Sequence, residues 1–437
     1  DVFLLTQWKN RLAIVRGIVE RKNLLGMIGF SCYVLADSYF ISIAKGADGL
    51  TALNLVMPLY SIIFSIGEMI GVGSAIRYAI SKIKKDADAD DYFWNALIWC
   101  ILSSMLFVFA GIFFSADIMR VLGADEHIVA VGNNYTKIFM CFAPMFMCNY
   151  VTNAFVRNDG APGIAMSATL FSSLFNIVFD YILMFPMNLG MEGAALATAL
   201  SPIIGMGICS IHFFSKKSSV RLVVCKPSVR KLVAGSQLGV SAFVGEMSSA
   251  VITLAFNFVI LKLAGNVGVA AYGVVANIAI VTTAVFNGVA QGSQPLISSC
   301  FGRGDKDGCT QLKRMGYTTA FVLAAVMYSI LFIFAGQFVA VFNSEGSEML
   351  RLYATEGVKL YFIGIFFAGI NIVGGGAFSA TEDAFKAAVV SVARGFVLIL
   401  GAVFVMSALF GMTGVWLAYA VAEGITTFIM LVMVLRV

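Results

Sequence analysis

Charged side chains are scarce in this chain: 12% of its 437 residues, against 60% hydrophobic residues and a mean hydropathy of +0.91. A composition of that kind cannot keep a domain of this length folded in water, so a soluble fold is excluded. Histidine is nearly missing. His127 and His212 stand alone near helix ends, which leaves no histidine metal centre and no serine or metallo-protease machinery. The eight cysteines lie mostly inside apolar runs, without the pairing that marks a disulfide framework or a zinc knuckle. No cleavable signal peptide is expected from the first segment, because Lys9, Arg11, Arg16, Arg21 and Lys22 are spread through its apolar residues. Leu5, Trp8, Leu12, Val15 and Val19 fall near helical spacing there and predict a helix lying on the membrane surface. The net charge of +5 is scattered among short loops, so no nucleic-acid partner is expected.

What the chain does have is long apolar runs. Hydrocarbon about 30 Å thick needs roughly 20 apolar residues per helical crossing. Twelve such runs are expected, near 24–44, 51–78, 92–114, 128–153, 162–185, 193–214, 236–262, 269–299, 317–342, 351–378, 386–409 and 413–435. If the N-terminus is cytoplasmic, the inner side collects most of the basic residues, among them Lys82, Lys84, Lys85, Lys216, Lys217, Arg221, Lys226, Arg230 and Lys231, with Arg77, Arg157 and Arg394 counted alongside. Outer ends receive only Lys45, Arg120, Lys137, Lys262, Arg351 and Lys359, so both termini are expected in the cytoplasm.

An internal repeat organises these runs. GMEGAALATALS from Gly190 matches GMTGVWLAYAVAE from Gly411, and small residues at such places let helix backbones approach closely in lipid. Ala36-Asp37-Ser38-Tyr39-Phe40 stands opposite Phe256-Asn257-Phe258, and Gly73-Ser74 opposite Gly292-Ser293. Each half has an even number of crossings and enters from the same side, so the repeat is parallel. The expected architecture is an all-α membrane protein with twelve transmembrane helices in two pseudo-symmetric six-helix bundles around a central cleft. Residues 1–214 form an N-lobe, 215–232 a basic cytoplasmic linker and 233–437 a C-lobe.

Five acids fall inside crossings: Asp37, Glu68, Asp180, Glu246 and Glu423. Each costs about 2.5–3.5 kcal/mol to insert, so each is a functional-site hypothesis, and no Lys or Arg is evidently placed to neutralise them. Asn176 and Asp180 are four residues apart and share a helix face. Joined by Asp37 and the Thr198 hydroxyl, they offer hard oxygen ligands to a transient sodium ion, or a carboxylate pair that shares a proton. The bland reading of the same residues is interhelical hydrogen bonding. Glu246 and Asn257 lie eleven residues apart on one side of the seventh crossing, as a C-lobe site for cation or substrate. Glu68 and Glu423 are the weaker candidates, acids of the cleft. Phe139, Met140, Met145, Phe146 and Tyr150 on the fourth crossing offer an adaptable wall for organic cations. Pro58, Pro144, Pro202 and Pro295 are expected to bend their helices.

On ADSYFISIAKGADGLTALNLVMPLYS (36–61), FVRNDGAPGIAM (155–166), NIVFDYIL (176–183), VAAYGVVANI (269–278), NGVAQGSQPLISSCFGRGD (287–305), SVARGFVLIL (391–400) and the repeated glycine motif, the chain resembles the multidrug and toxic compound extrusion (MATE) family of bacterial antiporters. The resemblance covers nearly the whole chain and points to its MepA-like branch. It implies a V-shaped pair of lobes in the bacterial cytoplasmic membrane. These expel cationic amphiphiles in exchange for H+ or Na+, as a monomer, with no cofactor and no enzymatic activity. By that analogy Asp37, Asn176, Asp180 and Thr198 form the N-lobe cation site, Tyr135 is its tyrosine neighbour, and Glu246 matches a C-lobe acid. The family proline early in helices one and seven is replaced here by Arg21 or Lys22 and by Ser241, and the tenth crossing lacks a membrane aspartate found in some members.

Three other readings compete. A flippase for lipid-linked precursors shares the architecture but needs Arg or Lys inside its crossings to hold a diphosphate. An intramembrane aspartyl protease needs a Gly-x-Gly-Asp run, whereas the nearest string is Gly71-Val72-Gly73-Ser74. A channel lacks its symmetric filter motif.

Overall fold

The computed structural model describes residues 21–86, 88–221, 223–342 and 347–435, so the expected surface helix at 1–20 lies outside the described residues, as do the side chains at the altered proline position Arg21–Lys22. The described chain is helical, with no strand. In order, the α-helices are α1 Arg21–Lys84, α2 Asp91–Val121, α3 Glu126–Cys141, α4 Ala143–Asn158, α5 Pro162–Met184, α6 Gly190–Phe213 and α7 Val229–Gly302. They continue as α8 Lys306–Ile333, α9 Ala335–Phe342, α10 Glu348–Tyr361, α11 Ile365–Ala380, α12 Ala384–Val392 and α13 Leu398–Leu435.

Among the described residues ten stretches are long and apolar enough to span a bilayer, with the bent pair α3–α4 taken as one. The last of them, Ala384–Val434, bends at Gly411 and so holds two crossings. At 64 residues α1 is about 96 Å long, room for a further crossing ahead of the Leu55–Lys84 span. That segment is where the first of the twelve expected crossings falls. The fourth is broken at Phe142 by 45°, and Pro144 opens its second half, where a missing N–H costs nothing. Pro58, Pro202 and Pro295 lie inside α1, α6 and α7. Polar caps start the helices that begin in loops: Asp125 accepts from the Ile128 N–H at 2.8 Å and Asp305 from the Gly308 N–H at 2.8 Å. One side of α2 exposes Leu102, Leu106, Phe109 and Phe113, the surface expected to meet lipid tails.

The backbone carries the sequence repeat. Gly190 and Gly411 both take a left-handed φ, +51° and +58°, at the start of the sixth and twelfth crossings. Three residues on, a Cβ at Gly193 would sit 2.8 Å from the Leu183 carbonyl carbon, and one at Gly414 would sit 1.9 Å from the Met406 oxygen. The motif therefore exists to press each of these crossings onto the end of the one before it.

Packing divides the chain into two compact units, Arg21–Phe243 and Val244–Val437. The linker and residues 229–243 of α7 belong to the first. Gly73, Gly235 and Gly239 bring α1 and α7 into backbone contact there, since a Cβ on Gly73 would lie 2.1 Å from the Gly235 oxygen. The linker is fastened by Asp159, just past the end of α4. Its buried carboxylate accepts from Tyr78 Oη at 3.0 Å, the Ser218 hydroxyl at 3.1 Å and the Ser219 N–H at 2.9 Å; it also accepts from the Ser219 hydroxyl and contacts His212 Nε2 at 2.8 Å. Further along, the Ser228 N–H donates to Asn95 Oδ1 at 2.6 Å and Lys231 pairs with Asp91.

Burial by itself would raise the Asp159 carboxyl, but the hydrogen bonds from Ser219, His212 and Tyr78 outweigh it and hold the group below the usual carboxylate range. Its stabilising contribution is therefore present above that range and lost as pH falls through the depressed value. Asp159→Asn is expected to loosen the linker and speed tryptic cleavage after Lys216, Lys217 and Arg221; an unchanged cleavage rate would show that the clamp is idle. Gly414→Ala should lower stability by about 1–3 kcal/mol, because the methyl group collides with backbone. Gly401→Ala, which meets nothing within 4 Å, is the neutral control in the same thermal-unfolding measurement in detergent.

Candidate functional site

The N-terminal unit brings together all five residues of the expected cation site. Asp180 and Asn176 are buried on one face of α5, Thr198 is buried on α6, Tyr135 on α3 and Asp37 on α1. With its amide oriented to satisfy both ends, Asn176 donates to Asp180 Oδ2 at 3.1 Å while its carbonyl accepts from the Thr198 N–H at 3.3 Å and hydroxyl at 3.2 Å. Asp37 and Asp180 are near enough for their charges to interact, and Tyr135 feels both. The Tyr135 hydroxyl bonds that of Tyr60. Among the described residues Asp37 Oδ1 and Asp180 Oδ1 have no hydrogen-bond partner, and neither carboxylate has an ion-pair partner. Two buried acids are thus held near one another, each with an oxygen left without a protein partner among the described residues, a donor set that suits a proton or a small hard cation.

Tyr60 stacks on Phe139 with centroids 3.7 Å apart, and Phe64 lies against Phe146 at 5.4 Å and Tyr150 at 5.8 Å. Phe139, Met140 and Phe146 are buried, Tyr150 is half-buried and Met145 is exposed. In the C-terminal unit Glu246 and Asn257 are both half-buried on α7, and Glu246 has no ion-pair partner among the described residues.

Two acids depart from the sequence expectation that none has a basic partner. Glu423 is paired: Arg394 donates to its Oε1 from Nε at 2.9 Å and from Nη2 at 2.6 Å, while Asn371 Nδ2 donates to Oε2 at 2.7 Å. Thr427 closes the network by donating to Asn371 Oδ1 at 3.0 Å. Glu68 lies within electrostatic reach of Arg157. Both arginines lie on helices: Arg394 sits in a π turn, Ala393–Val397, inside the Ala384–Val434 span, and Arg157 in the last turn of α4. Sequence reasoning missed Asn371 and Thr427 as well. The available signal was an arginine ten residues inside an apolar run, which lipid tolerates only with a partner.

Glu423→Gln leaves the Arg394 guanidinium, with 20% of its side chain exposed, short of a counter-charge. It should cost about 3 kcal/mol, and Arg394→Met with Glu423→Leu should recover most of that. Thermal unfolding of the two variants checks this. Equal losses in both would mean that shape, not charge, holds the network.

Two like bundles of apolar helices, one of them housing paired carboxylates, define a polytopic membrane transporter rather than an enzyme. A model of the MatE family matches residues 24–182 and again 242–404, and the chain belongs to that family. The two matches start 218 residues apart, in agreement with the repeat. The multidrug export protein MepA of Staphylococcus aureus (strain MRSA252) is 27% identical over 414 residues, covering 92% of this chain and 89% of that protein. MepA of Staphylococcus saprophyticus is 26% identical over 409 residues, with the same coverage. Among solved structures, an outward-facing multidrug resistance MATE transporter of the MOP superfamily superposes with a TM-score of 0.90 at 21% identity, covering 98% of this chain and 95% of that one. A mutant of the Vibrio cholerae MATE transporter VcmN gives 0.90 at 17% identity, covering 98% of both chains. A MOP superfamily transporter from Pyrococcus furiosus, described as having a binding pocket of reversed polarity, gives 0.88 at 20% identity, covering 97% of this chain and 94% of that one. These likenesses show the fold, the twelve-helix, two-lobe arrangement of MATE transporters.

Proposed function

We propose that this transporter is a secondary active antiporter that exports small amphiphilic cations, in exchange for H+ or Na+, by alternating access. The observation that carries the reading is the Asp37–Asp180 pair: two buried carboxylates, Asn176 and Thr198 in hydrogen-bond contact beside them, and no ion-pair partner for either among the described residues. A mobile cation completes such a site, and two states of the protein that bind it differently couple its movement to that of a drug. Multidrug export by the staphylococcal relatives supports the same substrate class. Glu246, half-buried without an ion-pair partner, is the C-lobe acid best suited to meet an organic cation, with Asn257 on the same helix. Glu423 is assigned no transport role, because Arg394 already satisfies it. We place the protein in the bacterial cytoplasmic membrane with both ends inside, working as a monomer.

The flippase reading requires free guanidinium or ammonium groups for a diphosphate. Arg394, inside the Ala384–Val434 span, is paired with Glu423, and the central pair is acidic. That favours a cationic guest.

Export of ethidium from vesicles under a pH gradient alone and a sodium gradient alone tests the reading. One gradient should drive export in the wild type. Asp37→Asn should cut that export about a hundredfold and Glu246→Gln about tenfold. Undiminished gradient-driven export by Asp37→Asn would place the coupling site elsewhere.

A further inference from the structure

Between the carboxylate pair and the linker end of the first unit, three helices present polar groups to one another. On α4, Asn149, Asn153 and Arg157 are four residues apart and form one stripe. Facing it, α5 carries Asp180, Asn176, Ser172 and Thr169, and α6 carries Thr198, Ser201 and Gly205. The contacts run in sequence. Below the Asn176–Thr198 bond the Ser172 hydroxyl donates to the Ser201 carbonyl at 2.6 Å. Next, Asn149 Oδ1 points at Gly205, where a Cβ would lie only 2.7 Å away. Then Asn153 Nδ2 donates to the Ala165 carbonyl at 3.0 Å and contacts Thr169 Oγ1 at 3.1 Å. Last, Arg157 Nη2 donates to Asn153 Oδ1 at 2.7 Å, with Glu68 in electrostatic reach. From Asp180 to Ala165 this seam covers about 22 Å of α5.

Polar atoms along the seam are buried and unmatched. Asp180 Oδ1, Asn149 Oδ1, Arg157 Nε and Asn158 Oδ1 have no hydrogen-bond partner among the described residues. A buried carboxylate, amide oxygen or guanidinium N–H left open by protein is normally completed by ordered water, and water binds where several polar groups converge. Gly205 lets the Asn149 amide come close against the α6 backbone, with its Oδ1 2.7 Å from where a Cβ would stand.

We propose that this seam is a hydrated proton path joining the Asp37–Asp180 pair to the linker end of the N-terminal unit, separate from the route of the exported compound. It rests on the antiport reading above and names its coupling ion. Hydrogen bonds tie the helices together at several levels of the seam. A hydrated sodium ion would have to break them, whereas a proton moves along waters and hydroxyls by exchanging them.

The full chain in vesicles tests this with ethidium as the probe. Asn149→Leu fills the same volume without holding water, and Gly205→Ala closes the seam from the facing helix. Both should slow export driven by a pH gradient about tenfold. Gradient-free exchange of labelled for unlabelled ethidium, which needs no ion release, should stay at the wild-type rate, and Asn149→Ser should keep proton-driven export. If a pH gradient drives no export even in the wild type, the proton path fails: export under a sodium gradient then keeps antiport with a different ion, and none under either gradient sinks the antiport reading too. Proton-driven export that survives in both blocking variants overturns the seam alone. So does a parallel loss of exchange, which would make these residues structural.

Discussion

A carboxylate taken out of water must be matched by an opposite charge, a proton or a bound cation, because a bare ion in a low-dielectric interior is too costly to persist. That constraint sorts the membrane acids of this chain into two kinds. Glu423 is answered from within, by Arg394. Asp37 and Asp180 have no such answer among the described residues, and each keeps an oxygen without a partner. The first kind holds helices together. The second kind is the pair to which the proposed function gives the exchanged ion.

The same constraint accounts for the asymmetry between the halves. The backbone repeats closely enough for Gly190 and Gly411 to share a left-handed turn and for Gly193 and Gly414 to share a close approach. The chemistry does not repeat. Along the matched sixth and twelfth crossings Thr198 corresponds to Tyr419, whose ring stacks on Tyr361 with centroids 4.3 Å apart, and the place of Asp37 is held by Asn257. One scaffold was used twice, and the carboxylate pair was kept in one copy.

Much of this was legible in the sequence. Composition excluded a soluble fold, apolar run lengths led to twelve crossings, and the glycine motif exposed the repeat, because lipid and close helix packing leave those marks directly on residue type. The N-terminal site was legible too: Asn176 and Asp180 share a helix face, and Thr198 stands in the repeated motif. The Arg394–Glu423–Asn371 network was not. Its members come from three crossings, and a π turn at Ala393–Val397 shifts the phase of the helix that carries Arg394, so regular spacing gives no hint that it meets Glu423. The rule that counts Arg157 and Arg394 with the inner-side charges reads position along the chain and carries no sign of the Glu423 carboxylate that Arg394 meets.

With the proton proposed as the coupling ion, the Asp37–Asp180 pair holds a proton that the exported compound displaces. Its most direct measurement is proton release when ethidium is added to purified wild type and Asp180→Asn in lightly buffered detergent, with binding followed by dye fluorescence. Wild type is expected to release a proton for each dye bound, and Asp180→Asn to bind dye with little release. Equal release from both, or dye binding to wild type with no release at all, would contradict it.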